Sequence, residues 1–318
     1  MNKIIIRKDP KMQYNKHPKT IWITGASSGI GQEFARQFAR KGECRLILTA
    51  RRKDRLHALA DSLSCPCRIE PADLSVPEEC ERLLAALSGE TIDIFINNAG
   101  LGTCGNFLET DLEKERTMLR VNVEAMHILF KQVLCQMQKK KRGTIVNVAS
   151  SAGLFPGGPF MASYYATKSY TVSLTLAVAE ELRQKKRPVY VCALCPGPVN
   201  TEFNEHADVR FALPGISAER CVREAFAGMH KRKLILVPGF FMRLGCSLQK
   251  LLPNRILLPL VAKQQMKKQK PHTAGQHFRN RKRQPEPVQS QSCRDRRIDP
   301  DTGSNCQCDH QKLDRIDN

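Results

Sequence analysis

Several features that would settle a function class at once are missing from this chain. No uninterrupted apolar run reaches the ~18 residues that a membrane-spanning helix needs, although residues 240–262 come nearest. The N-terminus carries no apolar leader: in Met1-Asn2-Lys3-Ile4-Ile5-Ile6-Arg7-Lys8 three apolar residues give way to charge, so export is not expected. The thirteen cysteines are scattered and form no framework pattern, which suits reduced thiols in a cytoplasmic protein. Cys192 and Cys195 have the spacing of a redox or metal pair. They fall, however, in an apolar strand-like run whose residues three apart face opposite ways, so no metal site is expected. Acid is also short, with 31 Asp and Glu against 51 Lys and Arg, a formal charge of +20. Residues 1–19 contribute +5 and residues 263–318 contribute +6, leaving +9 on the middle. Such basic arms can touch nucleic acid or anionic lipid. They are expected to be solvated, and nucleic acid is not expected as a partner.

What is present begins with an alternation. An apolar run at 20–24 suits a buried parallel strand and leads straight into Gly25-Ala26-Ser27-Ser28-Gly29-Ile30-Gly31. Phe34, Ala35, Phe38 and Ala39 then recur at helical spacing and Gly42 lies just past the end. A second strand at 45–50 runs into Arg51-Arg52. Helices are predicted at 53–64, 78–87, 112–138, 164–184 and 218–230, with strands at 67–71, 92–96, 144–149, 189–195 and 233–237. This is the pattern of an α/β protein with a doubly wound parallel sheet, whose ligands sit at the carboxyl ends of the strands. Gly25, Asp73, Asn97, Ser150 and Pro196 all fall at such ends.

Glycines between a first strand and a first helix have a mechanical reason. They permit a tight turn and a close approach to a pyrophosphate, which the helix N-terminus then attracts. The end of the second strand selects the dinucleotide. An acid there would bond a ribose 2′-hydroxyl and repel a 2′-phosphate; Ala50 followed by Arg51 favours the phosphate, hence NADPH over NADH. Arg52 either shares that task or is solvated. Further on, the 144–149 strand ends at Ser150-Ser151, and the next helix carries Tyr164 and Lys168 one turn apart on one face. An ammonium near a phenol should lower the phenol's pKa. A serine hydroxyl can hold a carbonyl oxygen while the tyrosine gives it a proton.

Thr24-Gly25-x-x-x-Gly29-x-Gly31, Asp73-Leu74, Asn97-Asn98-Ala99-Gly100, Asn122, Ser150, Tyr164-x-x-x-Lys168 and Pro196-Gly197 occur in one order. Together they closely resemble the short-chain dehydrogenase/reductase family over residues 20–240, most of all its bacterial and membrane-peripheral members with an apolar C-terminal extension. The resemblance implies a Rossmann fold and NADP(H) as cofactor. It implies Gly25, Ser28, Gly29, Ile30 and Gly31 in the pyrophosphate loop, and Ser27 and Arg51 at the adenosine ribose phosphate. Asp73 with Leu74 would meet the adenine, and Asn98, Ala99 and Gly100 would lie along the cofactor. Pro196, Gly197, Val199 and Thr201 would flank the nicotinamide, with Thr201 on the carboxamide. It implies a catalytic set of Asn122, Ser150, Tyr164 and Lys168, in which Asn122 holds a relay water to Lys168 and Lys168 also binds the nicotinamide ribose. The family serine lies three before the glycine of Ser-x-Ala-Gly, which selects Ser150 while Ser151 stays open. Asp73 could alternatively cap the next helix, and Asn122 could merely satisfy backbone groups.

The implied activity is hydride transfer between nicotinamide and a carbonyl or alcohol. The alternative is a non-catalytic dinucleotide-binding regulator, for which an intact serine, tyrosine and lysine have no use. Residues 202–215, with Phe203 and Phe211, have the place of a substrate lid and suggest an apolar substrate. The domain plan is a basic arm (1–19), a catalytic domain (20–240), an apolar extension (241–268) and a disordered basic tail (269–318). For residues 240–262 three readings remain open: a cover over the substrate pocket, a homo-oligomer contact, or contact with a membrane surface. Cys306, Cys308 and His310 in the tail are read as incidental.

Overall fold

The computed structural model describes residues 18–203 and 215–266, all of which belong to one compact unit. The basic tail, Phe211 and most of the expected lid lie outside the described residues, as does the N-terminal arm up to residue 17. Lys19, assigned in sequence to that arm, already opens the first strand.

The chain alternates as its periodicity predicts. In order come β1 (Lys19–Thr24), α1 (Gly29–Lys41), β2 (Cys44–Thr49), α2 (Lys53–Asp61), β3 (Cys67–Ile69), α3 (Pro77–Ala86) and β4 (Ile94–Asn97). Then follow α4 (Leu112–Leu119), a π-helical turn (Arg120–Ala125), α5 (Met126–Lys139), β5 (Thr144–Val148), α6 (Ala162–Gln184) and β6 (Tyr190–Leu194). Two short strands, β7 (Val199–Asn200) and β8 (Ile216–Ser217), pair with each other. The rest is α7 (Ala218–His230), β9 (Ile235–Leu236), α8 (Phe240–Leu248) and α9 (Asn254–Met266). The main sheet is parallel throughout, in the order β3-β2-β1-β4-β5-β6-β9. The chain reverses direction across the sheet between β1 and β4, and that switch opens a crevice at their carboxyl ends.

Each central strand is buried on both faces, and its alternation divides the core in two. Ile21, Ile23, Leu46 and Leu48 join Phe34, Phe38 and Val222 on one face; Trp22, Ile47, Phe95 and Ile145 join Leu83, Leu129 and Val133 on the other. Phe226 meets the rings of Phe34 and Phe38 edge-on, with centroids 5.6 and 4.8 Å away, and locks α7 to α1. Trp22 stacks on Phe95 at 4.6 Å, and its indole N–H donates to Thr49 Oγ1, so the ring is buried without an orphaned donor.

The helix predicted across 112–138 is not one helix. A π turn at Arg120–Ala125 separates α4 from α5. Such a turn inserts an extra residue into the ladder and re-aims the side chains beside it; Asn122 lies in it with 1% exposure. No helix among the described residues is long and apolar enough to cross a membrane.

Candidate active site

The crevice holds about 320 Å³ and has two chemically distinct ends. At the first, Gly25 (φ +64°) and Gly29 (φ +56°) take left-handed backbone conformations that other residues avoid. A Cβ on Gly31 would stand 2.4 Å from the Gly25 carbonyl oxygen, so only glycine allows α1 to press so closely on the strand end. Thr24 Oγ1 accepts from the backbone N–H of Asn98 and Ala99 at 2.9 and 3.1 Å, while the Asn98 amide donates to the Thr24 and Gly25 carbonyls. The loop is thus braced from β4. Ser28 precedes α1 without a side-chain cap hydrogen bond, and the first turn holds no acid. The partial positive charge of that helix start therefore faces the crevice with no internal anion to neutralise it, and a pyrophosphate fits there.

Around this end stand the cations. Arg51, exposed at the end of β2, makes no hydrogen bond or ion pair among the described residues and lines the crevice. Arg52 donates to Ser27 Oγ at 3.2 Å and pairs with Glu202 at 3.0 Å, so it is not merely solvated. Hydrogen bonds from Arg55 first, then Arg52, hold the Glu202 carboxyl below its ordinary range. Asp73 Oδ1 accepts from the Ser75 N–H and hydroxyl at 2.9 and 2.7 Å. The residue before α3 is Val76, so Asp73 shapes the turn but does not cap that helix.

The second end is built on β5, β6 and α6. Ser150 Oγ accepts from the Ala152 N–H at 3.1 Å, capping a short 3-10 turn (Ser151–Leu154), and hydrogen-bonds Tyr164. Ser151 gives its backbone N–H to the Pro196 carbonyl at 2.8 Å, to which the Ser150 hydroxyl also donates at 3.5 Å, and both serines line the crevice. Lys168 Nζ donates to the Val148 carbonyl at 3.1 Å and lies 5.9 Å from the Tyr164 ring centroid. Asn122 clasps Leu101, accepting from its N–H at 2.8 Å and donating to its carbonyl at 2.9 Å, and also donates to Thr167 Oγ1 at 3.1 Å. A Cβ at Gly100 would meet Lys168 Nζ at 3.1 Å and Asn122 Oδ1 at 3.3 Å, so these two groups converge on one point.

The electrostatics correct one expectation. Tyr164 is not pulled down by its cationic neighbour: burial pushes its phenol up to about 12, partly opposed by the hydrogen bond with Ser150. Burial likewise pushes Lys168 down to about 8. Both groups disfavour their charged forms because both are almost wholly removed from water, and desolvation is the largest influence on each. At neutral pH the phenol keeps its proton and the lysine is mostly charged.

Of the residues singled out in sequence, Gly25, Ser27, Ser28, Gly29, Ile30, Arg51, Asp73, Leu74, Asn98, Ala99, Gly100, Ser150, Tyr164, Lys168, Pro196, Gly197, Val199 and Thr201 all line the crevice. Gly31 and Asn122 stand behind that wall. Cys192 and Cys195 are buried in different clusters, their thiols each raised to about 12 by burial, and no metal-ligand group occurs among the described residues.

Sequence reasoning left packing of residues 240–262 over the second end as one of three open readings and did not say which residues would make it. Leu257 and Val261 of α9 pack into one cluster with Met118, Met161, Tyr164 and Tyr165. Gln265, one turn on, donates to the Tyr165 hydroxyl. Phe203 stands 5.7 Å from the Tyr164 ring, and Met242 of α8 lies against Gly197. The inner faces of α8 and α9 therefore pack behind the tyrosine end, while no residue of either helix lines the crevice itself. The signal was available as the four-residue step Leu257, Val261, Gln265, but nothing in it said which element it met.

A family model described as short chain dehydrogenase matches residues 19–209. Oxidoreductase UcpA of Salmonella typhimurium is 36% identical over 193 residues, covering 59% of this chain and 72% of that protein. The NADP-dependent 3-hydroxy acid dehydrogenase of Schizosaccharomyces pombe is 35% identical over 198 residues, covering 58% and 73%. Among solved structures, a short-chain dehydrogenase from Sphingobium yanoikuyae in complex with NADPH superimposes with a TM-score of 0.65 at 32% identity, covering 73% of this chain and 94% of that one. A short-chain dehydrogenase/reductase from Burkholderia phymatum in complex with NAD gives 0.67 at 25% identity, covering 76% and 95%.

Proposed function

This chain belongs to the short-chain dehydrogenase family, an oxidoreductase acting between alcohols and carbonyls with a nicotinamide dinucleotide, and from that premise we propose that it is an NADPH-dependent reductase of apolar carbonyl compounds. The observation that carries this is the meeting of Ser150, Tyr164 and Lys168 at the apolar end of a crevice whose other end is a glycine loop. When bound, the nicotinamide supplies or accepts the hydride. The protein's part is to bind, orient and move a proton. Gly25, Gly29 and the start of α1 take the pyrophosphate, with Ser27 and Arg51 at a 2′-phosphate. Ser150 holds the carbonyl oxygen and Tyr164, still protonated at neutral pH, gives it a proton. Lys168, held by Val148 and mostly charged, steadies the negative charge that develops on the phenol oxygen. Asn122 keeps the Leu101 backbone and Lys168 in register.

The preference for NADPH rests on Arg51 and on the absence of an acid at Ala50. That for apolar carbonyls rests on Met161, Tyr165, Phe203 and Leu257 around the tyrosine. The test is NADPH oxidation with ketones and aldehydes of increasing apolar size. Turnover that improves with apolar bulk is expected; no turnover with any member, at full dinucleotide binding, would leave a non-catalytic regulator instead.

A further inference from the structure

The outer faces of α8 and α9 carry a series of large apolar side chains that nothing among the described residues covers. In α8 one stripe turns inward: Cys246 and Gln249 are buried and Met242 lies on Gly197. A second stripe, Phe241, Leu244 and Leu248, follows an i, i+3, i+7 spacing and faces out, with Phe241 86% exposed. Leu251, 80% exposed, extends it, and Ile256 and Leu260 continue it along α9, each more than half exposed. A third stripe is polar and exposed: Arg243, which lies 3.6 Å from Glu224, and Ser247 on α8, with Lys250 just past its end. Across residues 240–266 there are four Lys or Arg and no Asp or Glu, and across 225–285 fourteen and none.

An apolar series of this length on a free surface marks a contact. Its cationic fringe decides the occupant. A second copy meeting the same face about a two-fold axis would bring a face with cations and no acid at Arg243, Lys250 and Arg255 against an identical one, like charge near like. An anionic phospholipid surface satisfies both features, taking Phe and Leu among its acyl chains and Lys and Arg among its headgroups. We propose that the outer face of α8 and α9 lies on an anionic phospholipid bilayer. The helices rest in the interface without spanning it. Because the same two helices pack against Tyr164 and Gly197 from within, the bilayer and the Tyr164 end of the crevice would face each other across one layer of helix.

The experiment is co-sedimentation of the full chain with vesicles of phosphatidylcholine alone or mixed with phosphatidylglycerol, at low and high salt. Binding to the mixed vesicles alone, falling as salt shortens the screening length, is the expected result. The double variant Phe241→Ser/Leu251→Ser should bind about tenfold or more weakly. The variant Arg243→Gln/Lys250→Gln should also weaken, roughly fivefold or more. NADPH affinity, unchanged in all of these, shows that the body is folded. Phe241→Trp should shift its emission to the blue on mixed vesicles, Trp22 being buried throughout. No binding to mixed vesicles at low salt would overturn the proposal. So would binding indifferent to the loss of Phe241 and Leu251, which would assign it to other cations. A lipid-free dimer that those apolar substitutions dissociate in the ultracentrifuge would overturn it too, with a second copy as the occupant. None of these outcomes touches carbonyl reduction, whose failure shows in the turnover assay.

Discussion

The two ends of the crevice are made by different physics. At the glycine end the turn itself lies within a few residues, braced from Asn98, and the work is done by backbone: two positive φ angles, a close approach at Gly31 and an uncapped helix start. At the tyrosine end the parts come from residues as far apart as Met118 and Gln265, and the work is done by burial. The first end is polar and open to a charged ligand. The second is apolar enough to move a phenol and an ammonium away from their ordinary pKa values in opposite directions. One crevice can therefore hold a polyanion and a greasy carbonyl side by side, each in the surroundings it prefers.

The sharpest way to separate the two ends is Tyr164→Phe. It should cut turnover by about 10²–10⁴-fold, while NADPH affinity measured by titration stays close to that of the parent. A variant that keeps its turnover would remove the proton donor from the account. Next in size is Leu257→Ala, which opens a cavity beside Tyr165. A loss of about 2–5 kcal/mol in unfolding free energy is expected, with a raised KM for apolar carbonyls and an unchanged NADPH Kd. If NADPH binding fell equally, the two ends would not be independent.

Arg51→Asp addresses the glycine end alone. It should weaken NADPH by roughly 10–100-fold, the worth of a lost charge-assisted contact, and leave NADH and the Tyr164 end little changed. Equal weakening of both dinucleotides would place the 2′-phosphate elsewhere.

The smallest expected effect is on pH. Lys168 loses its proton as pH rises through about 8, so the reduction rate should fall about tenfold per unit above that. Stability should move the opposite way. Between about 8 and the ordinary lysine value of 10.5 the unfolded chain binds more protons than the folded one, so Lys168 makes the fold gain stability as pH rises across that window. Above 10 Tyr164 reverses the sign, because its folded value is raised to about 12. A rate that held steady until pH 10 would show that the charge on Lys168 is not used.

How much of this was legible beforehand follows the same division. The strand at Lys19–Thr24, its glycine loop and the helix after it are spelled by neighbouring residues, as is the one-turn step from Tyr164 to Lys168. Asn122 was identified, but not the π turn that aims it, because a run of Arg, Val, Asn and Glu has the same helical periodicity with or without the extra residue. The pKa of Tyr164 was expected to fall on the strength of one neighbour. It rises because desolvation sums over every group around the ring, including Leu257 and Val261 nearly a hundred residues downstream.

By itself, then, the sequence determined the alternating order of strands and helices, the glycines of the first turn and the one-turn step from Tyr164 to Lys168, since each is a matter of short-range spacing and backbone permission. The tertiary structure alone decided that Asp73 shapes a turn without capping a helix, and that α9 packs behind the apolar end. Those outcomes depend on which distant surfaces exclude water from one another, and no local stretch of chain contains that information.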